Sequence, residues 1–214
     1  MPPMSFTRVD PRSIFYILEI VAVYAFALSG LFVARAHQLD VVGTFIAAFL
    51  AAFGGGTLRD VLLNQRPFYW VVQSRVLWGV FIMALLASLL RISSRWLSDR
   101  VILVADAVGL GIFSVTGTWA AWQHNWPPLP SVMIGVITAT FGGLLRDLVC
   151  HQKPMLISDP TPYASIAFIG NWLFLGMLYL QWMDVFWCTA AVSACIACSR
   201  VVLAIMGVKL PQLR

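Results

Sequence analysis

Six of the ionisable residues that stand inside apolar runs of this 214-residue chain recur as a pattern. Gly55-Gly56-Thr57-Leu58-Arg59-Asp60 is followed by Pro67, and 87 residues later Gly142-Gly143-Leu144-Leu145-Arg146-Asp147 is followed by Pro154. The same offset pairs Glu19 with Asp106. Charged groups at membrane depth are costly, and they are candidates for function by default. The glycines raise a second question. In a helix interior each costs about 1 kcal/mol relative to alanine, and each lets a neighbouring helix or an ion reach the backbone. The spacing therefore predicts helix breaks at Gly54, Gly55 and Gly56 and at Gly142 and Gly143. In lipid, freed backbone groups must be satisfied by protein or by water in a cavity, so the breaks should face inward.

Such breaks present carbonyls and half-helix carboxyl ends, which carry partial negative charge and can replace part of a cation's hydration shell. The hydroxyls of Ser29, Thr116, Thr138 and Thr140 can add ligands. Glu19 and Asp106 can supply negative potential, or serve instead as hydrogen-bonded contacts between helices. Arg59 and Asp60 are adjacent, and neighbours in sequence do not face each other on a helix. The expected pairs are therefore Arg59 with Asp147 and Arg146 with Asp60, bracing an opening between the two copies. A plainer alternative is that Arg-Asp ends each helix while the glycines pack. No nucleophile–base pair, phosphate loop or metal-ligand cluster is visible, so neither an enzyme nor a cofactor is expected, and any metal would be a passing monovalent cation. Cys195 and Cys198, flanked by Ala, Val and Ile, read as packing residues.

The elements that must position these groups are membrane spans. The chain is 60% hydrophobic and 11% charged, with mean hydropathy +0.85, where soluble domains average about 45–50% and about 25%. Seven apolar runs fall at about 14–34, 41–63, 75–92, 99–121, 130–150, 164–182 and 184–206, mostly long enough for a hydrocarbon core of about 30 Å. The first exceeds the roughly 7–15 residues of a signal-peptide core and is interrupted by Glu19, so it is expected to remain. With connections this short the chain is one transmembrane domain, and its net charge of +5 points to lipid surfaces rather than nucleic acid.

Residues 29–67 align with 116–154 without a gap, and eleven of those 39 positions are identical, including Gly30/Gly117, His37/His124 and Gln65/Gln152. Spans one to three (about 14–92) thus form one unit, spans four to six (about 99–182) a second, and span seven (about 184–206) is appended. An odd number of spans per unit inverts the second copy, which puts His37 and His124 at opposite faces. Arg8, Arg12, Arg66 and Arg75 collect on one side. Arg35, Arg91, Arg95, Arg100, Lys153, Lys209 and Arg214 collect on the other, which predicts an outer amino terminus and a cytoplasmic carboxyl terminus. Tryptophans such as Trp70, Trp96, Trp126 and Trp182 mostly lie near span ends, as interfacial belts do. Asp159-Pro160-Thr161-Pro162 is a stiff turn into span six.

Two three-helix units, each carrying Gly-Gly-x-Leu-Arg-Asp followed by proline, with a seventh helix, resemble the prokaryotic members of the trimeric intracellular cation (TRIC) channel family. The same family is also described as a bacterial glycine-transporter domain. The resemblance covers about Ile14 to Met206. It implies a homotrimer in the cell's inner (plasma) membrane, with a pore inside each protomer between the two repeats. Helices two and five would line that pore, conducting potassium and other monovalent cations. Carried over by position, the kinks map to Gly54–Gly56 and Gly142–Gly143, and Phe141 stands where the first copy has Gly54. A secondary transporter of glycine or another small amino acid is the alternative, and a lipid-binding or assembly protein a third.

Overall fold

The structure, a computed structural model, describes residues 11–90, 99–158 and 161–209. Arg8, Arg91, Arg95, Trp96, Asp159, Pro160 and Arg214, and the end of the third predicted span, lie outside them. Among the described residues the fold is all-helical: α1 (Pro11–Ala36), α2 (Val41–Leu62), α3 (Tyr69–Val72), α4 (Ser74–Leu89), α5 (Asp99–Gln123), α6 (Pro128–Val149), α7 (Met155–Ser158), α8 (Ala164–Tyr179) and α9 (Val185–Met206). Helices α1, α2, α5, α6 and α9 are long and apolar enough to cross a membrane. Helices α4 and α8 are equally apolar but have 16 residues, about 24 Å of helix. This is an all-α membrane protein. The one-turn helices α3 and α7 were not foreseen from the sequence.

Helices α1, α2, α5 and α6 pack together at the centre, α4 lies on α2, α8 on α6, and α9 on α5 and α8. The core between them is built from small residues and rings, including Ala22, Ala47, Ala48, Ala51, Ala52, Phe26 and Phe113. Local signals set the helix ends. Asp40 caps α2 by accepting from the Gly43 N–H at 2.7 Å, and α6 opens with Pro128, where no N–H is needed. Left-handed residues recur at the repeat offset: Gln38 and Asn125, then Asn64 and His151.

The expected breaks are absent. Helix α2 runs unbroken through Gly54, Gly55 and Gly56, and α6 through Gly142 and Gly143. The glycines are spent on proximity instead. A Cβ on Gly55 would strike the Thr138 carbonyl oxygen, and one on Gly142 would strike the Ala51 carbonyl oxygen. Those two contacts are reciprocal under the 87-residue offset, so α2 and α6 cross backbone to backbone. Close packing of this kind retains every intrahelical hydrogen bond, whereas a break in lipid would free several.

Candidate functional site: two buried carboxylate–guanidinium clusters

Arg59 sits in the last turn of α2 and Arg146 in the last turn of α6, where a cation complements the carboxyl end of the helix dipole. Each guanidinium is held by two carboxylates. Arg59 Nη1 donates to Glu19 Oε1 at 2.9 Å, and its Nε donates to Asp60 Oδ1 at 3.0 Å. Arg146 Nη1 donates to Asp106 Oδ1 at 2.8 Å, and its Nε to Asp147 Oδ1 at 2.8 Å. The cross-pairs expected between the two copies, Arg59–Asp147 and Arg146–Asp60, are not formed; both arginines pair inside their own unit, with the adjacent aspartate and the distant acid. The rule that sequence neighbours do not face each other describes Cβ directions. The long arginine stem reaches past its own Cβ direction and folds back onto Asp60 or Asp147.

The aspartates complete a second task. Asp60 Oδ2 accepts the Tyr69 N–H at 3.1 Å, and Asp147 Oδ2 accepts the Met155 N–H at 2.8 Å. Each carboxylate thereby anchors the first residue of a one-turn helix, α3 or α7, after the proline that turns the chain. Polar contacts do cross between the units, among them a pair of clasps. His37 Nε2 lies 3.4 Å from Gln152 Oε1, and His124 Nε2 lies 3.3 Å from Gln65 Nε2. These two contacts also exchange under the offset.

The clusters differ in access. Arg146 and Asp106 have side chains 0% and 2% exposed, while those of Arg59 and Glu19 are 7% and 20% exposed. Tyr163 accounts for much of the difference, since its hydroxyl donates to Asp106 Oδ2 at 2.9 Å. Its counterpart one offset earlier is Val76, which cannot do so. Ser29 Oγ accepts from Arg146 Nη1 at 2.6 Å, whereas its counterpart Thr116 has no partner for its hydroxyl. Around Glu19, Arg59 and Asp60 a vestibule of about 570 Å³ opens, and a void of about 10 Å³ lies beneath it beside Gly56.

Of the residues singled out from sequence, Glu19, Arg59, Asp60 and Thr116 line the vestibule and Gly56 the small void. Gly54, Gly55 and Gly142 sit in the α2–α6 contact, and Gly143 faces Tyr163 and Asp106. Thr138 and Thr140 donate back to the carbonyls of Ile134 and Val136 in their own helix. Two residues of the site, Tyr163 and Arg200, were not among those singled out from sequence. Arg200 of α9, 1% exposed, donates to Thr161 Oγ1 and to the Pro162 carbonyl, with its guanidinium 4.9 Å from the Tyr163 ring centre. An arginine as the single charged residue of the otherwise uncharged stretch Val185–Met206 was the available signal. It ties α9 to the tyrosine that covers Asp106.

Pairing within units makes a direct prediction. A double-mutant cycle of Arg59→Gln with Glu19→Gln is expected to give a coupling of about 0.5–3 kcal/mol, as contacting groups do. Arg59→Gln with Asp147→Asn should be additive within about 0.5 kcal/mol. Unfolding free energies in mixed micelles measure both, and equal couplings would contradict the geometry.

Comparison with known proteins places the chain. A family model described as Glycine transporter matches twice, over residues 16–91 and 103–179. The UPF0126 inner membrane protein YadS of Escherichia coli K12 is 34% identical over 156 residues, 73% of this chain and 75% of that protein. A UPF0126 membrane protein of Vibrio cholerae is 32% identical over 159 residues, 74% of this chain and 66% of its own length. The crystal structure of the TRIC trimeric intracellular cation channel orthologue from Rhodobacter sphaeroides superposes with a TM-score of 0.83 at 29% identity, covering 92% of this chain and all of that one. The chain belongs to the prokaryotic TRIC family, to which the description Glycine transporter also applies.

Proposed function

We propose that this protein is a channel for potassium and other monovalent cations, with a path inside the protomer between two inverted three-helix units, α1–α4 and α5–α8. The observation that carries the proposal is the charge of the two clusters. Each sets two carboxylates against one guanidinium, leaving one net negative charge when all are ionised. A net negative site in low-dielectric surroundings attracts cations and repels anions. The similarity to a solved cation channel supports the same reading.

The inverted relation is supported by the reciprocal contacts: Gly55 under Thr138 and Gly142 under Ala51, His37 with Gln152 and His124 with Gln65. In this reading α4 and α8 complete a count of seven spans. The arginine and lysine distribution then puts the amino terminus and the vestibule outside and the carboxyl terminus in the cytoplasm. Conduction needs the α2–α6 crossing to part, because backbone meets backbone there. A homotrimer in the inner (plasma) membrane, each protomer with its own path, follows the name of the similar channel.

Planar-bilayer recording tests the proposal. Discrete unitary potassium currents are expected, with Glu19→Gln lowering conductance roughly two- to tenfold by removing the focusing charge. Saturable glycine counterflow without such currents would overturn it in favour of a carrier.

A further inference from the structure

We infer that the vestibule is a binding site for a small organic ammonium ion, a cation bulkier than the inorganic ions proposed to pass. The inference deepens the cation reading of the same site, and four observations support it. The first is size: at about 570 Å³, the vestibule holds far more than one ion, given roughly 30 Å³ per water.

Charge is the second. Glu19 and Asp60 outnumber Arg59, and the Nε, Nη1 and Nη2 atoms of Arg59 each already meet a carboxylate oxygen at 2.9–3.0 Å. The floor therefore favours a cation and offers a ligand's carboxylate no open guanidinium fork. The walls are the third. Phe15, Tyr16, Tyr69 and Trp119 line them, with Phe15 and Trp119 stacked at 6.0 Å between ring centres. Aromatic faces attract alkylammonium groups and accept their apolar surface, which a hydrated inorganic ion lacks.

The fourth is an unused hydroxyl. Thr116 is 4% exposed and lines the vestibule, yet no protein group hydrogen-bonds its Oγ1 or the Tyr69 hydroxyl. In the other unit the position equivalent to Thr116 is Ser29, whose hydroxyl is occupied by Arg146. The site is thus built on one face only. Buried polar groups rarely stay unpaired, and a bound ligand with its water is a fitting partner.

Isothermal titration of the purified full-length protein with tetraethylammonium chloride tests the inference, with glycine as the zwitterionic comparison. Saturable tetraethylammonium binding is expected, weakened about tenfold by Tyr16→Ala or Trp119→Ala and lost in Glu19→Gln. Tyr16 is exposed and bonds Gln73, not the ion cluster, so its variant probes the wall alone. In bilayers, tetraethylammonium should block from the vestibule's face alone, identified by labelling Gln123→Cys in a cysteine-free background with an impermeant maleimide. Binding that persists in protein without unitary currents would uphold this site and sink the channel reading. Normal currents without binding, block equal from both faces, or glycine binding in preference to tetraethylammonium would overturn the site.

Discussion

Replacing Arg146 with glutamine is expected to lower stability by about 3–5 kcal/mol, the cost of leaving buried charge without its partner. The same replacement at Arg59 should cost less, because Glu19 beside it is 20% exposed and opens to the vestibule. The two arginines occupy the same place in a repeated motif and make the same kinds of bond, so sequence alone predicts equal effects. Their surroundings differ. Arg146 is fully buried with Asp106, Asp147 and Ser29 as partners; without it, Asp106 retains Tyr163 and Asp147 retains Gln152 and the Met155 N–H, but both carboxyls stay buried without their cation. Around Arg59 the vestibule admits water, which solvates Glu19 once the guanidinium is gone. Arg146→Lys should recover less than half of the loss, since one ammonium cannot span the acids the planar guanidinium bridges. Unfolding free energies in mixed micelles decide the matter. Equal losses at the two positions would show that the vestibule does not hydrate its floor.

Much of this site was legible as residue types and little of it as partners. Glu19, Asp106 and both Arg-Asp pairs announced themselves by lying in apolar runs at a common offset, and spans one, two, four, five and seven match α1, α2, α5, α6 and α9 within a few residues. The partner of each arginine was not legible. Helix geometry constrains Cβ directions, while an arginine carries its donors several bonds further, so burial and the position of α1 or α5 decide what it meets. The glycines were ambiguous for a related reason. Their cost in a helix signals a purpose, but a break and a close crossing carry the same sequence signature. Only the facing backbones of Ala51 and Thr138 distinguish them. The inequality of the two clusters turned on Val76 against Tyr163, a substitution outside the matched motif. Arg200 was legible in principle, as a charge in an apolar span, but its meaning depends on Tyr163 lying beneath it.

Gly55→Ala and Gly142→Ala are each expected to lower stability by about 1–3 kcal/mol through overpacking at the α2–α6 crossing. At both positions the added carbon meets a carbonyl oxygen of the facing helix, a backbone atom that no rotamer change can withdraw. Gly56→Ala, one residue away, is the control. Its Cβ would meet nothing within 4 Å, and alanine removes a helix penalty of about 1 kcal/mol, so that variant should be neutral or slightly stabilised. Gly54→Ala falls between them, because the obstacle is the flexible end of Leu145. A broken helix would order the series differently: all three glycines of α2 would then be needed for the kink, and Gly56→Ala would suffer with the rest. The same series bears on conduction. If the path closes where α2 and α6 touch, a methyl at Gly55 or Gly142 holds the helices apart and raises the resting open probability even as stability falls. Loss of both stability and current in these two variants would instead place the closure elsewhere along the path.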